Sequence, residues 1–190
     1  MVTSLPPSAM QDEVVRRMAI RELVRVQAFA EARRLWGSAV QSAGLVHSPD
    51  FTDTKAPPPF NWDVTADETG AAERIAGGGV SLDYFGRTPG PLASQLLTLA
   101  PGSYRAKIIY RSEGGTPGAL GLQMRCVGQD GNLIDRPLDA RIGVNQALTV
   151  PFSVSAGCAG QMLSLAGRVR ETRESQQATV KSVEIERVTQ

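Results

Sequence analysis

Two hydrophobic periods divide the chain. Over residues 11 to 43, Met18, Leu23, Val26, Phe29, Leu35, Trp36 and Val40 recur at steps of roughly three and four. That spacing gathers apolar side chains on one face of a helix. Arg16, Arg17, Arg21, Arg25, Arg33 and Arg34 alternate with Glu22 and Glu31 over the remaining face. Basic as it is, such a face reads as a solvated surface laced by Glu–Arg pairs three or four residues apart. "VQAF" near residues 26 to 29 divides the segment into two helices, and Gly44 supplies a stop.

From Leu45 onward the period falls to two. "VSLDYFG", "SQLLTLA", "YRAKIIYR", "ALGLQMRCV", "QALTVPFSV", "QMLSLAGRV" and "ATVKSVEIERV" have strand composition. The clusters "RTPGP", "APGS", "SEGGTPG", "GQDGN" and "SAGC" separate them as turns. In "YRAKIIYR", Tyr104, Ala106, Ile108 and Tyr110 face one way, and Arg105, Lys107 and Arg111 the other. One buried and one wet face is the signature of an antiparallel sheet. Seven such runs with no helix between them predict a two-sheet sandwich. The expected division is a helical hairpin over 1–44 and a β-sandwich over 45–190.

Composition narrows the function. Of 190 residues, 42% are apolar and 21% charged, which suits a folded domain. A net charge of +1 gives no field to steer the chain onto nucleic acid or an acidic membrane. No run approaches the roughly 18 apolar residues of a membrane span. The opening "MVTSLPPSAMQDEVV" lacks the basic-then-apolar order of a signal peptide. Cys126 and Cys158 are the only cysteines, each on or beside a strand-like run. Two buried thiols are one reading of them, and a disulfide between adjacent strands is the preferred one. Zinc is disfavoured, because His47 is distant in sequence and structural zinc takes about four Cys or His ligands. A disulfide implies an oxidising compartment, periplasmic or extracellular. The chain then reads as a fragment whose targeting segment lies upstream.

Two resemblances add to this. "LVRVQAFAEARRLWGSAV", with "FAEARRLW" as its core, resembles the second half of a tetratricopeptide repeat. One hairpin buries too little to stand alone, so the resemblance implies the end of a longer helical array, with upstream repeats as its partner. "SPDFTDTKAPPPFNWDV", "VSLDYFGRTPGPLASQLLTLAPGSYRAKIIYRS" and "ATVKSVEIERV" resemble jelly-roll modules of the galactose-binding and carbohydrate-binding type. Gln95, Leu99, Pro101, Gly102 and Tyr104 stand at the matching positions. A sandwich appended to tetratricopeptide repeats is similar to what occurs in bacterial envelope proteins associated with polysaccharide. The resemblance implies an antiparallel jelly-roll sandwich behind a helical hairpin, and a polysaccharide or other glycan as partner. Such modules often hold calcium, for which Asp50 is available. Lys181 and Ser182 stand where an acidic residue is often found, so no metal ligands are assigned.

Catalytic readings find little support. His47 is the only histidine and lies beside the linker, Asp67 and Glu68 read as a solvated loop pair, and "IAGGGVSL" lacks the Lys-Ser/Thr of a phosphate loop. No catalytic residue is assigned. For sugar binding the candidate rings are Trp62, Tyr84, Phe85, Tyr104 and Tyr110. Tyr104 and Tyr110 share the face of Ile108 and read as core. Trp62 follows Phe60 by two and also reads as core, though it is retained as a ligand-binding candidate. Asp83, Phe85 and Arg87 alternate along one strand, opposite Leu82 and Tyr84, and form the expected ligand surface. The function expected is a non-catalytic carbohydrate-binding module of a bacterial envelope or secreted protein. Its rival is a structural or protein-interaction domain that packs on upstream repeats and binds no small ligand.

Overall fold

The computed structural model describes residues 13–37, 44–168 and 174–188. They fall into two compact units, Met1–Ser42 and Ala43–Gln190.

In the first unit, α1 runs Glu13–Arg25 and α2 runs Phe29–Gly37. The break between them is a hydrogen-bonded helix stop. Ala28 N–H donates to the Leu23 carbonyl at 2.8 Å and Gln27 N–H to that of Val24 at 3.0 Å. Gln27 takes a φ of 60°, the left-handed conformation that such a stop requires. Ile20, Phe29, Ala32 and Trp36 are buried. Met18 and Val26, expected on the apolar face, are 62% and 57% exposed. Met18 stands two residues before Ile20, about 200° round the helix, and Val26 lies past the end of α1. Val40 is outside the described residues. Arg17 pairs with Glu13, and Arg25 with Glu22 at 2.8 Å, so two of the basic side chains lie in exposed ion pairs.

The second unit is a sandwich of two antiparallel five-stranded sheets. In chain order the strands are β1 (Asp63–Val64), β2 (Gly70–Arg74), β3 (Val80–Tyr84), β4 (Gly90–Leu97) and β5 (Gly102–Gly115). They continue as β6 (Leu120–Cys126), β7 (Asn132–Pro137), β8 (Asn145–Val154), β9 (Gln161–Gly167) and β10 (Gln176–Arg187). The first sheet has the order β1-β4-β9-β6-β7 and the second β2-β3-β10-β5-β8. Leu92, Leu122, Met124, Leu163 and Leu165 of the first meet Leu82, Tyr84, Ile108, Tyr110, Val180 and Val183 of the second in one buried cluster. Along β5 the alternation is complete, with Tyr104 to Tyr110 buried at even positions and Arg105, Lys107 and Arg111 exposed.

Buried glutamines complete the ladders where strands run out. Gln95 accepts from His47 N–H at 3.0 Å and donates back to the His47 carbonyl at 2.9 Å. Gln176 does the same service between Leu120 N–H and the Leu138 carbonyl, at 2.7 and 2.8 Å. A carboxamide carries both a donor and an acceptor, so it replaces a peptide unit without burying a charge.

Three strands carried no pattern in the sequence: β1, β2 and β7. Each lies at an edge, where one side has no neighbour and less surface is buried. β4 also begins at Gly90, inside the expected "RTPGP" turn. Pro91 is accommodated there by a register shift between Pro91 and Ala93, the kind of irregularity at which a strand tolerates proline.

Cys126, at the end of β6, is joined to Cys158 before β9, with Cα atoms 5.4 Å apart and 32 residues of sequence separation. Both are buried. Closing that loop restricts the unfolded chain, and the chain-entropy estimate is about 3 to 4 kcal/mol. Replacing both cysteines by serine is expected to lower the unfolding free energy by about that amount. Urea titration of the two forms measures it, and a loss below about 1 kcal/mol would show that the bridge contributes little to stability.

Candidate functional site

Leu82 and Tyr84 point inward from β3, and Ser81 and Asp83 point outward. The ladder with β2 continues one residue past the strand, because Phe85 N–H donates to the Thr69 carbonyl at 3.1 Å. Phe85 therefore projects on the same side as Asp83. Phe85 is 46% exposed, while the other nine aromatic residues of the chain are all buried. At Gly86 the chain turns away with φ +74°, and a Cβ there would overlap the backbone of Glu174. Alternation ends at that turn, so Arg87 is exposed but no longer placed by the strand.

The floor beside Phe85 comes from strands remote in sequence. Asp83 lies between Ala71 on β2 and Gln177 on β10. Gln177 in turn faces Gly114 on β5. Gln177 Nε2 donates to Asp83 Oδ2 at 3.3 Å. Gly114 has no side chain, so bare backbone adjoins Gln177. The result is a shallow shelf, Ala71–Asp83–Gln177–Gly114, with one aromatic ring flanking it two residues along the chain from Asp83. Carboxylate and carboxamide groups offer acceptors and donors to hydroxyls, and the ring offers a flat apolar plate. Gln177 was not singled out in the sequence: it sits 94 residues from Asp83, and only the β3–β10 register brings them together.

Trp62 is elsewhere. It is 1% exposed, its ring lies 4.6 Å from that of Phe51, and Nε1–H donates to the Ser48 carbonyl at 3.0 Å. It plugs the core beneath the segment that leads into β1, and no ligand can stack on it there.

That segment is held by a half-buried polar cluster. Arg74, at the end of β2, donates to the carbonyls of Phe51 and Asp53, each at 2.9 Å, and to that of Trp62 at 2.7 Å. His47, 6% exposed, contacts Asp53 through Nε2 at 2.7 Å. Burial alone would raise the Asp53 carboxyl, but the amides of Ala56 and Lys55 and the His47 contact outweigh it and hold it below its ordinary value. The Ser48 hydroxyl accepts from Asp53 N–H and is not aligned on His47 as a nucleophile would be. Calcium does not fit here either. The Asp50 carboxylate accepts from Thr52, its carbonyl accepts from Gly79, and the nearby carbonyls converge on Arg74. Among the described residues no group of three or more His, Cys, Asp or Glu is placed to hold a metal.

The outer face of the first sheet is also polar, with Asp63, Ser94, Ser164, Gln123 and Asp135 in one row across its strands. It presents no exposed ring. Its long side chains already bond one another, Gln123 to Asp135 at 3.4 Å and Arg168 to Asp135 at 3.2 Å.

The sandwich has the jelly-roll fold of carbohydrate-binding modules. A CBM4 module superposes with a TM-score of 0.54 at 11% identity, covering 75% of this chain and 99% of that one. The CBM22-1 xylan-binding domain of a Paenibacillus barcinonensis protein gives 0.53 at 10% identity, covering 80% and 99%. A family 16 carbohydrate-binding module gives 0.50 at 11%, covering 75% and 99%. At these identities the likeness is one of fold. No family model matches the sequence, and no curated protein does. No described helix is long and apolar enough to cross a membrane.

Proposed function

We propose that the sandwich is a non-catalytic module that binds carbohydrate weakly through the Phe85 shelf. One observation carries this reading: of ten aromatic side chains, Phe85 alone stands exposed, beside a carboxylate and a carboxamide on the same face. In the proposal the ring takes the apolar face of a pyranose, and Asp83 and Gln177 fix hydroxyl orientation. Arg87, beyond the turn, reaches the next residue of a glycan chain. The jelly-roll fold shared with carbohydrate-binding modules supports the class of ligand. The disulfide supports an oxidising compartment, and we place the protein in a bacterial envelope or among secreted proteins. The hairpin, in this reading, is the end of a tetratricopeptide-like array.

One ring and a few hydrogen bonds exchanged against water give modest net energy. The expected dissociation constant is on the order of 0.1 to 1 mM, or about 4 to 5.5 kcal/mol. A glycan array followed by titration calorimetry measures it. Phe85→Ala is expected to abolish binding and to leave the fold intact, and Gln177→Ala to weaken it by about 1 kcal/mol. If no glycan binds at millimolar concentration, the proposal fails and a structural role beside upstream repeats takes its place.

A further inference from the structure

The two sheets have four edges, and three of them are protected against pairing with another strand. β1 is two residues long, β2 carries Glu73 and Arg74, and β7 carries Asp135 and Arg136. β8 is different. It is ten residues, "NQALTVPFSV", without a charged side chain. A long uncharged edge is a template for a further strand.

The direction of its free groups follows from two hydrogen bonds. Gly143 N–H donates to the Ser112 carbonyl at 2.7 Å, so even-numbered residues of β5 turn their backbone towards β8. Val188 N–H donates to the Ser103 carbonyl at 3.0 Å, so odd-numbered ones face β10. Across β5 and β8 even pairs with even, as in Ile108 with Leu148 and Ala106 with Val150. Alternation then turns the N–H and C=O of Asn145, Ala147 and Thr149 outward, away from β5. Pro151 shares their parity, which is why its missing N–H costs the sheet nothing.

We propose that two copies of this chain pair through β8 as antiparallel strands about a two-fold axis at Ala147. In that register Ala147 meets its own copy, and Asn145 meets the partner copy's Thr149. Pro151, which ends the run of donors, falls opposite Gly143, where the chain turns with φ +78°. The pairing segment is thus bounded alike at both ends, as an isologous contact demands. Val144, 50% exposed, falls opposite Val150 of the copy, and half-buried Leu148 opposite Gln146, so apolar surface is covered as well. No like charges are brought together. The product is one continuous sheet across both copies. It would set two Phe85 shelves on a common face; that consequence rests on the glycan reading, and the pairing does not.

Sedimentation velocity of the full chain from about 10 µM to about 1 mM tests this. The expected result is a concentration-dependent dimer in which the amides of Asn145, Ala147 and Thr149 exchange more slowly than at low concentration. Ala147→Lys places two ammonium groups at the axis, and Ala147→Pro removes an outward donor that the ladder with β5 does not use. Each is expected to raise the dimer dissociation constant at least about tenfold with an unchanged far-ultraviolet spectrum. A monomer throughout the concentration range overturns the proposal. So does a dimer that both variants leave intact, or one in which those three amides remain unprotected.

Discussion

Tyr84→Ala is expected to lower the unfolding free energy by about 4 kcal/mol, and its neighbour Phe85→Ala by less than about 0.5 kcal/mol. The two rings are adjacent in sequence and project to opposite faces of the second sheet. Tyr84 is 4% exposed and packs so closely on Gly167 of the opposite sheet that a Cβ there would overlap its ring. Truncation leaves a cavity between two sheets that cannot collapse without moving strands, which puts the loss in the upper range for aromatic residues. Burial also pushes the Tyr84 hydroxyl above its ordinary pKa, as a ring lodged between sheets requires. Phe85 rests on solvent on one side, so its removal uncovers little. Urea titration of both variants measures the pair. Equal losses would mean that Phe85 is part of the core, and the shelf would lose its platform.

Arg74→Met is expected to cost about 3 to 5 kcal/mol and to loosen the segment from His47 to Trp62. The methionine keeps much of the apolar stem and removes the guanidinium. Three carbonyls, those of Phe51, Asp53 and Trp62, then lose a charged donor at 2.7 to 2.9 Å. Arg74 is half-buried, and burial draws its pKa down while the Asp53 charge opposes that shift. Water would have to enter to satisfy the freed carbonyls, and Trp62, packed on Phe51 beneath them, would lose its fixed position. Thermal unfolding gives the magnitude, and hydrogen exchange at Asp53 to Trp62 locates it. Adding calcium is expected to leave the melting temperature of the native chain unchanged. A marked rise would show that the carbonyls serve a metal rather than the arginine.

The parts of the fold that were legible in the sequence are those with a periodic apolar signal. β3, β5, β6, β8, β9 and β10 all lie where alternation or apolar runs placed them, because each buries one side against the opposite sheet. Even the orientation of β3 could be read: Leu82 and Tyr84 inside, Asp83 and Phe85 outside. β1, β2 and β7 could not. They are short or polar edge strands whose pairing is dictated by their neighbours rather than by their own composition. β8 is the one edge strand that did announce itself, and the same uncharged run makes its free side available.

Local sequence also determined the helix break near Gln27, the turn chemistry and the presence of two cysteines. Each of these depends on residues within a few positions, or on residue type alone. The β6–β9 register is what brought the two cysteines within bridging distance. The tertiary structure decided what long-range register decides. It set Gln177 beside Asp83, turned Arg87 off the strand at Gly86, and drew the Arg74 guanidinium onto three carbonyls. It also settled Trp62, whose neighbours Phe51 and Ser48 form its wall and its hydrogen-bond acceptor. The alternation of Phe60 and Trp62 shows only that two rings share a side. Whether that side meets solvent or another layer is fixed by what folds over it, and that information is spread along the whole chain.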